Sequence, residues 1–141
     1  MQRVTPYLLY KDVAAALDWL ARAYGFEEVL RYTGEQGYVN HAEMRTPGGG
    51  RIYLGDPGDR YRNPKDHGNE TVGILVTVDE VDELCERARS AGAEIKEEPS
   101  DQPYGERRFI AVDPEGHYWF LSKPIEEVAP EEWGAEVATP S

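Results

Sequence analysis

The feature that most constrains the fold of this chain is an internal repeat with an offset of 67 residues. TPGGGRIYLGDP at residues 46–57 and DPEGHYWFLSKP at residues 113–124 both place a turn with proline and glycine before a short strand that ends at proline. Identical residues recur at this offset without a gap, in the pairs Leu8 and Leu75, Leu17 and Leu84, Arg22 and Arg89, Glu27 and Glu94, Pro47 and Pro114, Gly49 and Gly116, Leu54 and Leu121, and Pro57 and Pro124. The chain therefore reads as a tandem duplication of one module.

Each copy of the module carries the pattern of one strand, one helix and three further strands. In the first copy, TPYLLYKD predicts a strand, and VAAALDWLARAY predicts a helix that begins after Asp12 as N-cap and ends at Gly25. FEEVLRY, YVNHAEMR and RIYLG predict the three remaining strands. The second copy repeats this order in VGILVTVD, EVDELCERARSA, AEIKEE, RRFIAV and HYWFLS.

A helix can cover only one face of each predicted sheet, so the other face is left for a cavity. Side chains alternate between faces along a strand, which places Trp119 and Leu121 beneath the helix and turns Leu75, Tyr118 and Phe120 to the other side. We predict an α+β fold in which tandem β-α-β-β-β modules form a curved mixed sheet around a shared cavity, with the helices outside. One domain spans 1–141, with modules at about 5–57 and 72–124, a linker at 58–71 and an acidic tail at 125–141.

Charge and hydropathy exclude several classes of partner. The net charge is −12 at pH 7, and a surface of this sign repels phosphate backbones, so we expect no nucleic-acid partner. No apolar run approaches the roughly 20 residues that span a bilayer, so we expect no membrane partner. The first residues are too weakly apolar for a secretory signal. Because Cys85 is the single cysteine, no intrachain disulfide can form, and we expect a cytoplasmic protein.

The duplicated modules, KDVAAALDWLARAYGFE at 11–27 and VDPEGHYWFLSKP at 112–124 resemble the vicinal-oxygen-chelate superfamily. This superfamily contains glyoxalase, bleomycin-resistance proteins and extradiol dioxygenases, and the chain is similar in particular to small uncharacterised glyoxalase-like proteins of bacteria. The resemblance covers about residues 5–126, and the Asp-Pro-x-Gly turn at 113–116 is its most specific element. It implies a homodimer, because members of the superfamily commonly pair.

The resemblance also implies where metal-dependent members hold a divalent ion, namely on the first, fourth, fifth and eighth strands. In this sequence those positions carry Thr5 (or Pro6 with a slip of one residue), Tyr53, Gly73 and Phe120. Glycine and phenylalanine side chains offer no donor, and the set lacks the oxygen and nitrogen ligands that such ions require. We therefore predict no metal and no cofactor, with two aromatic residues standing where the metal carboxylates would be.

A different polar site is conceivable on the third strand. His41 and Glu43 share one face of that strand because side chains alternate with period two. They either line the cavity as a hydrogen-bonding dyad or general base, or form a structural ion pair with Arg45 or Arg51 on a solvated face. His117 directly follows a glycine and is expected to be a turn residue.

The leading hypothesis is a metal-free small-molecule-binding protein of the bleomycin-resistance type that sequesters an aromatic or cationic compound. No catalytic residue is predicted, and Arg60, Tyr61 and Arg62 of the linker are expected to reach toward a ligand from the rim. The predicted ligand-binding residues are Tyr7, His41, Glu43, Arg51, Tyr53, Leu75, Tyr104, Arg107, Tyr118 and Phe120. The alternatives are a lyase, isomerase or dioxygenase with a non-standard divalent metal site, and a dimeric scaffold with a plugged cavity.

Overall fold

The computed structural model describes residues 2–139 and confirms the predicted α+β fold of two repeated modules. The first module contains β1 (Tyr7–Leu9), α1 (Val13–Tyr24), β2 (Glu27–Thr33), β3 (Val39–Arg45) and β4 (Arg51–Gly55). A short helix, α2 (Pro64–His67), follows. The second module contains β5 (Gly73–Thr77), α3 (Val81–Ser90), β6 (Glu94–Asp101), β7 (Glu106–Val112) and β8 (Tyr118–Pro124). One-turn 3-10 helices lie at Pro47–Gly49 and Pro130–Trp133.

Each module forms one four-stranded mixed sheet, and the two sheets have the same strand order. The first sheet is ordered β1-β4-β3-β2 and the second β5-β8-β7-β6. The first strand of each module runs parallel to the last, and the other neighbours are antiparallel. None of the described helices is both long enough and apolar enough to traverse a bilayer.

The strand register shows that the 67-residue repeat is not gapless in the first strand of each module. Leu8 pairs with Leu54 in the first sheet, whereas Val76, and not Leu75, pairs with Leu121 in the second. The structural offset is therefore 68 residues in the first strand and 67 in the last. The difference arises between the first and second strands of each module, because α3 is two residues shorter than α1 and the connection that follows it is one residue longer.

The N-terminal caps of the two helices differ as a consequence. Asp12 accepts a hydrogen bond from the Ala15 amide at 3.0 Å, and Gly25 ends α1 in a left-handed conformation, as predicted. In α3 the N-cap residue is Glu80, whose side chain makes no capping hydrogen bond. Asp79, which the 67-residue repeat aligns with Asp12, is thus one residue too early to cap α3.

The helix-covered faces of both sheets share one hydrophobic core. Trp119 of β8 is fully buried, and its ring centre lies 5.8 Å from that of Tyr24 and 5.5 Å from that of Phe26 in the first module. The indole of Trp19 donates to the Ala91 carbonyl at 2.8 Å. Arg87 of α3 donates to the carbonyls of Ala21 and Arg22 in the last turn of α1. The modules are therefore packed together through their helices.

Asp113, the first residue of the turn that characterises the second module, connects the two modules. Its carboxylate is buried and accepts from the Tyr10 hydroxyl at 2.7 Å and from the Trp119 indole at 3.1 Å. It also accepts from the backbone amides of Glu115 and His117. Burial raises the pKa of Asp113, and the hydrogen bonds from Tyr10 and Trp119 oppose this rise.

The other residues of this turn hold the linker, in which the structure has a short helix, α2, that the sequence pattern does not predict. Glu115 accepts from the amides of Lys11 and Asp12 and from the side-chain amide of Asn63, the N-cap residue of α2. Gly116 has a φ of +97°, and a Cβ atom there would lie 2.5 Å from the Lys65 nitrogen. The turn therefore requires glycine both for its conformation and for the close approach of α2.

His117 has a larger structural role than the predicted turn residue. It is buried, with Nε2 at 2.8 Å from the Leu9 carbonyl oxygen and Nδ1 at 3.2 Å from the Glu70 carboxylate. The Tyr61 hydroxyl donates to the same Leu9 carbonyl at 2.9 Å. His117 and Tyr61 thus tie the linker to the edge of β1.

Cys85 packs in α3, and its thiol is buried. Burial raises the pKa of the Cys85 thiol to about 11, although the Arg89 guanidinium, 3.8 Å from the sulfur, opposes the rise. A thiol with so little thiolate at neutral pH is a poor nucleophile.

Candidate functional site

The face of the first sheet opposite α1, here called the first open face, brings five of the predicted ligand-binding residues together. Tyr7 pairs with Tyr53, and Tyr53 pairs with Glu43 across three adjacent strands. His41 and Arg51 lie on the same side by alternation along β3 and β4. Their neighbours on the other side, such as Met44 and Leu54, are fully buried.

Hydrogen bonds connect four of these side chains in a row. The Tyr7 hydroxyl lies 2.8 Å from His41 Nδ1, and His41 Nε2 lies 3.2 Å from a Glu43 oxygen. The other Glu43 oxygen lies 3.3 Å from the Arg51 guanidinium. The Tyr53 ring meets the rings of Tyr7 and His41 edge-on, with centres 5.5 and 5.3 Å apart. Glu43 therefore pairs with Arg51, as one of the two interpretations expects, and His41 faces an aromatic surface.

Gly55 makes the approach of Tyr7 to His41 possible. It pairs with His41 on β3, and a Cβ atom at this position would lie 2.6 Å from the Tyr7 ring. The Tyr7 ring therefore occupies the space that a side chain at Gly55 would fill. Over half of the Tyr7 side chain, 54%, remains exposed to solvent.

The corresponding face of the second sheet, here called the second open face, carries another aromatic group. Leu75 is 51% exposed and pairs with Phe120. The Arg108 guanidinium lies 5.4 Å from the Phe120 ring centre and 5.7 Å from that of Tyr104. Trp133 of the tail packs edge-on against Tyr104, with ring centres 5.5 Å apart.

Arg107, predicted to reach the ligand, lies on the other side of β7. It forms ion pairs with Asp82 at 2.8 Å and Asp101 at 2.9 Å and shares its face with the buried Phe109. Alternation therefore turns Arg108 toward Phe120, and Arg108 is the residue that the sequence reasoning missed. If Phe109 is taken as a core residue, alternation along the strand places Arg108 on the opposite, open face and so identifies it.

Two cavities flank the linker. Tyr118 lines one of them, and the predicted rim residues Tyr61 and Arg62 line the other. One, of about 490 Å³, is lined by Tyr118, Lys96 and Lys65, and does not include Phe120. The other, of about 730 Å³, lies between β1 and β5 and is lined by Tyr7, Leu9, Tyr61, Arg62, Val72, Ile74 and His117. Partial burial, together with the Glu115 and Glu70 carboxylates, raises the pKa of Tyr61 to about 12. Two of the three predicted rim residues, Tyr61 and Arg62, thus reach a cavity.

Residues 2–121 match the family described as the Glyoxalase/Bleomycin resistance protein/Dioxygenase superfamily. The chain belongs to this superfamily.

The chain is also similar to several known proteins over most of its length. An uncharacterised protein of Mycobacterium bovis is 33% identical over 141 residues, covering 96% of this chain and 92% of its own. TioX from Micromonospora sp. ML1 has a similar crystal structure with a TM-score of 0.71, at 32% identity over 89% of this chain and 100% of TioX. A superfamily member from Sphaerobacter thermophilus shares the fold, with a TM-score of 0.66 at 23% identity over 87% of this chain and 98% of its own.

The residues at the metal positions of the glyoxalase/bleomycin-resistance superfamily do not fit a divalent ion. Gly73 pairs with Tyr118 at the start of β5, and a Cβ atom there would lie 2.4 Å from the Phe120 ring. The Phe120 ring therefore fills the place of a ligand side chain from β5. Tyr53, on β4, offers a phenol hydroxyl in place of a carboxylate.

A second possible metal-binding group is also unsuited to an ion. In the part of the chain that the structure describes, Cys85, Glu86 and Glu98 form the one cluster of three potential ligands. Arg89 donates hydrogen bonds to both carboxylates and so occupies the centre of the cluster. The three side chains already have a cation as their partner.

Proposed function

We propose that this protein is a metal-free small-molecule-binding protein of the glyoxalase/bleomycin-resistance type, which sequesters an aromatic or cationic compound on its open faces. The observation that carries the proposal is the Phe120 ring packed over Gly73, where the superfamily resemblance implies two metal ligands. An aromatic ring in place of metal-coordinating side chains favours stacking with a bound small molecule over coordination of a metal ion.

The open faces supply the surface that such a compound needs. Tyr7 and Tyr53 on the first open face and Phe120 on the second present aromatic rings beside a few polar groups. This combination is typical of small-molecule sites, in which apolar walls give affinity and sparse polar groups give orientation. The net charge of −12 favours a cationic compound, for which contact with an aromatic face adds about 0.5–2 kcal/mol.

We expect planar aromatic compounds to stabilise the purified protein without added metal. The probes are 2-naphthol, quinoline and the cationic dye acridine orange, each followed by thermal unfolding. A compound that binds the folded state alone stabilises it by about 2.7 kcal/mol when its concentration is 100 times Kd.

Metal analysis of the same protein is the control for this prediction. We expect well below one ion per chain by mass spectrometry, and no rise in Tm with Ni, Zn, Fe(II) or Mn. Stoichiometric metal, or stabilisation by one of these ions, would contradict the metal-free proposal. The absence of stabilisation by all aromatic probes would contradict the binding proposal.

A second copy of the chain is the proposed cover of the open faces. Exposed apolar patches mark interaction surfaces in soluble proteins. A twofold dimer can place the first open face of one chain opposite the second open face of its partner, because the two modules are copies of each other. The exposed apolar residues on these faces are Tyr7, Leu9, Leu30, Tyr32 and Leu75.

The dimer is tested by mass in solution. We expect light scattering after size exclusion to give twice the chain mass of 15.9 kDa for the unaltered protein. Leu75→Glu, which places a charge on the second open face, should shift the population to monomer. Val137→Glu is the matched control, because Val137 is also more than half exposed but lies in the tail. A monomeric unaltered protein, or a dimer that Leu75→Glu leaves intact, would contradict this arrangement.

A further inference from the structure

The row of hydrogen bonds on the first open face has a defined direction. An ionised carboxylate can only accept hydrogen bonds, and Glu43 lies between the Arg51 guanidinium and His41 Nε2. His41 Nε2 must therefore carry a hydrogen, and in the neutral imidazole Nδ1 is then an acceptor. The partner of Nδ1 is the Tyr7 hydroxyl at 2.8 Å, so Tyr7 is the donor of that bond while His41 is neutral.

This direction determines what Tyr7 offers to a ligand. Its single hydroxyl hydrogen is committed to His41, so the exposed side of its oxygen presents only lone pairs. Because the hydrogen is drawn toward a base that Glu43 supports, the Tyr7 oxygen becomes a stronger acceptor than an isolated phenol. The Tyr7 ring is fixed in this orientation across Gly55, in edge contact with Tyr53.

We propose that Tyr7 Oη, oriented by His41 and Glu43, is a hydrogen-bond acceptor that selects aromatic compounds carrying a hydroxyl donor of the phenol type. The inference rests on the proposed function and names the class of its ligand. In the complex the ligand hydroxyl donates to Tyr7 Oη while Tyr7 donates to His41 Nδ1, and no covalent bond breaks. A phenol-type hydroxyl fits best because its acidity strengthens a bond to a basic oxygen, and its ring packs against Tyr7 and Tyr53.

The test compares 2-naphthol with 2-methoxynaphthalene, which has the same rings but no donor. Fluorescence titration gives Kd for the unaltered protein, Tyr7→Phe and the control Tyr38→Phe, whose exposed ring lies in the turn before β3. We expect the unaltered protein to bind 2-naphthol about tenfold more tightly than its methyl ether, as the loss of one hydrogen bond implies. Tyr7→Phe should remove this preference by weakening 2-naphthol binding alone, and Tyr38→Phe should preserve it.

Glu43→Gln tests the direction of the hydrogen bonds from Tyr7 to Glu43 without removing any aromatic ring. The glutamine oxygen would face Arg51 and its amide hydrogens would face His41 Nε2, which reverses the tautomer of His41 and frees the Tyr7 hydrogen. We expect the preference for 2-naphthol over the methyl ether to disappear. A preference that survives in Glu43→Gln or in Tyr7→Phe would overturn the inference.

The remaining outcomes separate this inference from the proposed function. Equal affinity of the unaltered protein for both probes would overturn the inference and leave the binding proposal standing. If neither naphthalene binds but quinoline or acridine orange does, phenols are not the ligand class and the inference again fails alone. If no aromatic probe binds, both fail together.

Discussion

Replacing Gly116 by alanine should lower the free energy of unfolding by roughly 2–6 kcal/mol. At a φ of +97° an alanine side chain adds strain of about 1–3 kcal/mol. The new methyl group would also lie 2.5 Å from the Lys65 nitrogen and 3.0 Å from the Pro64 carbonyl carbon. Such overpacking adds about 1–3 kcal/mol.

The backbone of α2 cannot easily yield to this methyl group. The Lys65 amide donates to the Glu115 carbonyl at 3.0 Å, and Asn63 is held by the Glu115 side chain at 2.9 Å. Moving α2 away would break both hydrogen bonds. Urea denaturation monitored by circular dichroism measures the loss of stability.

Gly92→Ala is the matched control for Gly116→Ala. Gly92 has a φ of +93°, but nothing lies within 4 Å of its added Cβ atom. Its replacement should therefore show the conformational strain alone, about 1–3 kcal/mol. Equal losses for both variants would mean that α2 does not pack against Gly116 in solution.

Asp113→Ala is expected to destabilise the protein by roughly 2–6 kcal/mol, because it leaves two buried side-chain donors without an acceptor, each at about 1–3 kcal/mol. These donors are the hydroxyl of Tyr10, which is 1% exposed, and the indole nitrogen of Trp119, which is fully buried. Urea denaturation again measures the effect. Asp59→Ala, at an exposed position in the linker, should change stability by no more than about 0.5 kcal/mol.

A double-mutant cycle with Tyr10→Phe isolates the bond between the modules. Tyr10→Phe removes one of the donors, so it should be less damaging in the Asp113→Ala background than alone. We expect a coupling energy of about 0.5–3 kcal/mol between the two positions. Additive losses would show that Tyr10 and Asp113 do not interact in the folded protein.

The regular elements of each module could be predicted because their patterns are local. The periodicity of residues 13–24 and the cap residues Asp12 and Gly25 specify α1 by themselves, and the structure has α1 at Val13–Tyr24. Helix α2 could not be predicted in this way. Its four residues are too few for periodicity, and it is held by hydrogen bonds to Glu115, 52 residues away from Asn63.

Predictions of individual site residues depended on the face that each strand turns to the core. The assignment succeeded on β8, where Trp119 and Leu121 are evidently core residues. Arg107 is different, because the sequence interpretation treats it as a rim residue of the segment 99–108, whereas the structure places it on β7 and turns Arg108, not Arg107, toward Phe120. A shift of one residue exchanges the two faces of a strand, so a single missing reference is enough to select the wrong side chain.

The sequence by itself determined the order of elements in the duplicated module and the residue types at the superfamily's metal positions, since both are properties of the chain read locally. Only the tertiary structure decided that Tyr7 reaches His41, 34 residues away, across the space left by Gly55. It likewise decided that His117 contacts Glu70 of the linker and that Asp113 joins the two modules through Tyr10. The physical reason is that side-chain contacts between strands depend on pairing and register, which are established only when the two modules pack around one core.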